Sequence, residues 1–199
     1  MLAKIDAYQH YDPLLVHARA PSDPVTQTFA AAINMVRSSS RLAGRLTFGL
    51  EIGDYKSLIE TYFPGAQGAF LTPALNAFKY TAPTSHGDEF DDVLALLLEH
   101  RGNTGTETTW LAYAVTACCM GDDHLWQDMG LNNRQELSGL MQQHFSTLYE
   151  KNTGNMRWKK FFYKQLCERA GAYVCRSPSC AVCVDYQNCF GSEEEGLWR

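Results

Sequence analysis

The sequence predicts an all-α fold, a helical bundle followed by an irregular C-terminal cysteine-rich metal-binding loop. Three observations carry this. Leucine occurs 21 times against 12 for valine and isoleucine together, and apolar residues recur near every 3.6 positions with no sustained alternation. Helix start and stop residues punctuate the chain at short intervals. All seven cysteines lie beyond residue 117, four of them within fifteen residues.

Taken in order, Asp23-Pro24 places an N-cap before a proline at the first helical position, with Phe29, Ile33 and Val36 following at helical spacing. Ser38-Ser39-Ser40 ends that helix. Asp54 is the expected cap of a short helix carrying Tyr55, Leu58, Ile59 and Tyr62, stopped by Pro64. Residues 65–87, with Pro73, Pro83 and several glycines, read as loop with one brief helical turn. Asp88 to His100 carries Phe90, Val93, Leu94, Leu97 and Leu98 on one stripe, broken by Arg101-Gly102-Asn103. Thr106 is the expected cap of a helix through Trp110, Ala114, Ala117 and Cys118, with Gly121 as its left-handed C-cap. A short turn, His124-Leu125-Trp126, leads to Gly130. Asn132 with Gln135 resembles a capping pair for a helix packing Leu137, Leu140, Met141 and Leu148. The last helix is expected from about Asn155 to Ala170, with Trp158, Phe161, Phe162 and Leu166 inward and Gly171 as its stop. Residues 1–22 read as an N-terminal extension, 23–172 as the helical domain and 173–199 as the cysteine-rich tail.

Composition excludes several classes. At 199 residues the chain can build a full core without disulfides, and 45% hydrophobic with 20% charged residues is ordinary for a globular protein. No apolar run approaches the roughly 18 residues of a membrane helix. The opening Met1-Leu2-Ala3-Lys4-Ile5-Asp6 lacks the apolar stretch of a secretory signal, so a cytoplasmic location is expected and a membrane role is not. The formal charge of −5 disfavours general nucleic-acid binding. No Gly-x-Ser-x-Gly and no phosphate-binding loop occurs, and no nucleophile–base pair stands out, so the chain is not expected to be an enzyme.

The chemistry lies in the tail. Cys175, Cys180, Cys183 and Cys189 spell C-x4-C-x2-C-x5-C. A segment this short has no core of its own, so four thiolates converge only around a metal ion or cluster. All-thiolate zinc sites commonly use two C-x2-C pairs, whereas here there is one; the run is closer to a single segment wrapping an iron–sulfur cluster, though it matches neither common ferredoxin spacing. Cluster, zinc and no metal all stay open on spacing alone, in that order. Just upstream, residues 156–176 hold six basic side chains and one acidic, a net +5, in a chain that is acidic elsewhere. Such a helix favours anions, or is simply a solvated face, with Lys160 and Lys164 opposite the aromatic stripe.

The run Met156-Arg157-Trp158-Lys159-Lys160-Phe161-Phe162-Tyr163-Lys164-Gln165-Leu166-Cys167-Glu168, the four-cysteine loop and Cys189-Phe190-Gly191 together resemble the C-terminal signature of the NifQ family. Gly121-Asp122-Asp123-His124-Leu125-Trp126-Gln127-Asp128-Met129-Gly130-Leu131, with Arg134, resembles the same family. The resemblance implies a protein of nitrogen-fixing bacteria acting in assembly of the nitrogenase iron–molybdenum cofactor. It implies a molybdenum–iron–sulfur cluster, built on a three-iron or four-iron precursor, as cargo. The implied partners are the cofactor-assembly scaffold complex, the nitrogenase iron protein and molybdate or another molybdenum source. Thiolate and sulfide are soft ligands that suit iron and reduced molybdenum. Cys175, Cys180, Cys183 and Cys189 are therefore the candidate ligands.

Second-rank candidates are His124, whose imidazole can serve either metal or simply cap a helix, and Cys167, eight residues before Cys175. Cys118 and Cys119 read as packing residues. His100 reads as a charge-compatible residue at a helix C-terminus. Two rival functions remain: an iron–sulfur electron-transfer module, and a zinc-stabilised interaction module docking through the basic helix.

Overall fold

A computed structural model of the chain describes residues 13–42, 45–71, 89–171, 183, 186–191 and 193. The fold is all-α, and no strand occurs among the described residues. Its helices are α1 (Pro24–Ser38), α2 (Ile52–Tyr62), α3 (Glu89–Glu99), α4 (Thr106–Cys119), α5 (Leu125–Asp128), α6 (Arg134–His144), α7 (Ser146–Lys151), α8 (Trp158–Arg169) and α9 (Tyr186–Phe190). A further helical turn covers 67–71.

The order of burial follows from sequence. Helix α4 is apolar or small on nearly every side and is the central rod, with Leu111, Ala112, Ala114, Val115, Ala117 and Cys118 fully buried. Helices α1 and α3 flank it, and α8 packs on α3. Helix α1 turns Phe29, Ile33 and Val36 inward as its spacing demands. Each large side chain sealed this way contributes roughly 1.5–3 kcal/mol of hydrophobic stabilisation. Asp23 caps α1 as expected, its carboxylate accepting from the Thr26 amide at 2.9 Å.

Several local expectations shift. Helix α2 begins at Ile52 with Glu51 as N-cap, so Asp54 lies in the first turn, where its charge still opposes the helix dipole. Gly105, not Thr106, caps α4. Leu96 joins Phe90, Val93 and Leu97 on the buried face of α3, while Leu94 and Leu98 are only partly covered. The α6 capping pair is Asn133 with Glu136, one residue on from Asn132 and Gln135, with the Asn133 side chain accepting from the Glu136 amide at 2.9 Å. Leu148 belongs to α7, because the chain breaks at Phe145 between α6 and α7. Helix α8 starts at Trp158 rather than Asn155, whose positive φ of 52° excludes it. Gly171 does end it, with φ of 65°.

Gly121 is the most informative correction. It does not take up the left-handed conformation. Its hydrogen instead makes room for a carboxylate: a Cβ there would lie 2.5 Å from the Asp128 side chain. Lys159 of α8 reaches into the same spot, donating to the Gly121 carbonyl at 2.7 Å and pairing with Asp128. The glycine is thus required by a long-range ion pair, not by a local turn.

Candidate metal-binding tail and its polar anchor

The C-terminal segment is irregular only in part. Residues 186–190 form α9, a short helix that carries Cys189, and the Cys183 carbonyl accepts from the Tyr186 amide at 3.2 Å at its start. Tyr186 and Phe190, one turn apart, stack with ring centroids 4.6 Å apart. Phe190 lies against Gly154, where a Cβ would sit 3.2 Å from its ring. The bundle holds this segment by main-chain bonds: the Arg157 amide donates to the Cys189 carbonyl at 2.8 Å. Cys189 and Phe190 pack against the core, half-buried.

A second hold comes from Arg134 at the start of α6. Its guanidinium pairs with Glu193 at 2.6 Å and also donates to the main-chain carbonyls of Asn155 (3.0 Å) and Met156 (2.9 Å). The pair is sheltered, the side chains being 13% and 3% exposed. Burial drives the Arg134 pKa downward and Glu193 opposes that shift. The sequence reading missed Glu193, because its partner is 59 residues away and a lone acid in an acidic tail carries no local signal.

His124 is the N-cap of α5, its amide donating to the Gln127 side chain at 3.2 Å. Its Nε2 atom is buried and has no hydrogen-bond partner among the described residues. Burial lowers its pKa; among nearby charges Glu193 acts most strongly, followed by Arg157. His124 therefore faces the same polar region as the tail anchor.

The cysteines divide by environment. Cys118 and Cys119 are 0% and 4% exposed, at the end of α4. Burial pushes the Cys118 thiol far above its ordinary value and that of Cys119 up to about 12, so both stay protonated and unreactive. Cys167, Cys183 and Cys189 are half-buried and outside any disulfide. Cys175 and Cys180 lie outside the described residues. No group of three His, Cys, Asp or Glu side chains poised around one centre occurs among the described residues, which leaves the four-cysteine set untouched.

The basic helix is less anion-seeking than its composition suggested. Lys159 pairs with Asp128, Lys164 with Glu168 and Arg169 with Glu99. His100 is likewise not the expected cation at a helix end. It is buried, its pKa is lowered by that burial, and its Nε2 accepts from Lys151 at 3.2 Å, which requires a neutral ring.

An all-α body with a thiol-bearing C-terminal segment anchored to it by arginines defines the class. The sequence model of the NifQ family matches residues 28–191. The chain is 43% identical over 151 residues to Protein NifQ of Azotobacter vinelandii, covering 73% of this chain and 77% of that one. It is 34% identical over 145 residues to Protein NifQ of Rhodobacter capsulatus, covering 73% and 76%. It is 38% identical over 128 residues to the Protein NifQ homolog of Sinorhizobium fredii, covering 63% and 56%. No solved structure matches. The chain belongs to the NifQ family, which the resemblance ties to assembly of the nitrogenase iron–molybdenum cofactor. No helix among the described residues is long and apolar enough to cross a membrane.

Proposed function

We propose that this chain is a carrier rather than a catalyst. It holds a molybdenum–iron–sulfur cluster as cargo on Cys175, Cys180, Cys183 and Cys189 and delivers molybdenum for assembly of the iron–molybdenum cofactor. The observation that carries this reading is the setting of the two described tail thiols. Cys183 precedes, and Cys189 lies on, a helix that is fixed to the bundle by the Arg157–Cys189 main-chain bond, yet both stay half-exposed. A donor needs that combination: ligands held in register, and a face open to the acceptor. Resemblance to the NifQ family supports this choice of cargo and of the assembly complex as recipient.

His124 and Cys167 remain reserve ligands. Of the two, His124 has the stronger case, because a buried imidazole nitrogen without a partner is costly, on the order of 1–3 kcal/mol, unless something binds it.

Oxygen-free purification followed by an absorption spectrum and iron, molybdenum and zinc analysis of one sample tests the reading. A brown protein holding iron and molybdenum supports it. A colourless protein with one zinc would establish the interaction-module alternative. A stable, reversibly reducible cluster with no dependence on molybdenum would establish electron transfer.

A further inference from the structure

Beneath the tail lies a polar region that the cysteine ligands do not explain. Glu193 places a carboxylate, 5% exposed as a residue, against the Arg134 guanidinium at 2.6 Å. The group is incompletely satisfied. Glu193 Oε2, Arg134 Nε and His124 Nε2 are all buried and all lack a hydrogen-bond partner among the described residues. Arg157 acts electrostatically on both His124 and Arg134. Lys159 also faces His124 but is committed to Asp128, and Asp123 is exposed to solvent.

Arg134 pairs with this carboxylate, His124 lies within its field, and Arg157, whose side chain donates to the Gly191 carbonyl at 3.4 Å, adds a second guanidinium beside them: an anion site with an internal occupant. A carboxylate fills it incompletely: it offers two oxygens in a plane, and Arg134 Nε and His124 Nε2 stay without a partner among the described residues. A four-oxygen ion presents acceptors in three dimensions, and a guanidinium binds such an ion through two parallel N–H bonds.

We propose that His124, Arg134 and Arg157 form a binding site for a tetrahedral oxyanion, and that Glu193 is its built-in competitor. The site binds the anion when Glu193 withdraws, so anion entry and docking of the cysteine-bearing helix α9 oppose each other. The site stands on its own residues. Only the choice between molybdate and a commoner oxyanion as its natural occupant rests on the proposed function.

Calorimetric titration of cluster-free protein with molybdate, sulfate and acetate tests this, in a Cys183→Ala/Cys189→Ala background that keeps thiolate binding out of the signal. Glu193→Gln, which keeps the shape and removes the charge, is expected to tighten binding of a tetrahedral anion at least about tenfold. Adding His124→Gln or Arg134→Lys is expected to abolish that gain. A Glu193→Gln protein with unchanged circular dichroism that binds neither tetrahedral anion overturns the proposal, and acetate binding as tightly as sulfate overturns the tetrahedral assignment. Molybdate outcompeting sulfate supports a place on the cargo's path. Equal affinity keeps the site but removes molybdate as its dedicated occupant. In the unmutated chain, millimolar anion should speed amide hydrogen exchange over residues 186–191; unchanged exchange despite binding would refute the opposition to tail docking.

Discussion

Cys118-Cys119 and Cys183/Cys189 carry the same side chain in opposite settings. The first pair sits at the end of the central helix, wrapped by apolar neighbours, with thiols that cannot ionise at neutral pH. The second pair lies before and on a short helix laid on the bundle surface, tied down by backbone and arginine contacts and half open to solvent. Adjacency in sequence thus says little about ligation, since neighbouring helical cysteines point in different directions. What separates packing from metal binding is access for a thiolate, and the bundle withholds it from one pair and leaves it to the other.

The largest expected effect is on reactivity. In folded, metal-free protein, a disulfide reagent near neutral pH should modify Cys183 and Cys189 more than about a hundredfold faster than Cys118 and Cys119, since burial denies the latter pair both ionisation and access. Mass-spectrometric mapping of the labelled sites checks this, and comparable rates would erase the distinction between the regions.

Next comes the Lys159–Asp128 ion pair beside the buried cysteines. Asp128→Ala leaves Lys159 sheltered beside the Gly121 carbonyl with its counter-charge gone. It should cost about 3 kcal/mol in urea unfolding, the scale for breaking one side of a buried pair. Cys118→Ala should cost less, about 1–2 kcal/mol, from lost burial and a small cavity.

The smallest effect is on pH dependence. Burial holds His144 and His100 below the usual imidazole value. Unfolded imidazoles titrate near about 6.5, so between that value and the folded ones the unfolded chain binds more protons. Stability from this source is present above about pH 6.5 and is lost as pH falls below it. The thermal midpoint should therefore drop between about pH 7.5 and 5.5, and His144→Gln should flatten that drop.

Much of the bundle was legible because its signals are local. Asp23-Pro24, the stripe of α1 and the stop at Gly171 each act within one or two turns. Cap positions slipped by one residue at Thr106 and Asn132 and by three at Asp54, where nearby residues compete for one role. Gly121 was misread because its reason is tertiary: the glycine is explained by Asp128 and Lys159, not by the helix it follows. For the site, spacing exposed the four cysteines and the family-like stretch exposed His124. Spacing did not reveal that Arg134, Arg157 and Glu193 anchor the tail, since those contacts join residues 30 or more positions apart. Cys175 and Cys180 fall outside the described residues, so the quartet rests on sequence.

Iron and molybdenum per folded chain, measured side by side in oxygen-free Cys189→Ala and Cys119→Ala proteins, is the most direct test. Loss of most of both metals from Cys189→Ala, with near-full retention in Cys119→Ala, is the predicted result. Full metal content in the tail variant, or its loss only from the buried one, would contradict the assignment of the cargo to the C-terminal thiols.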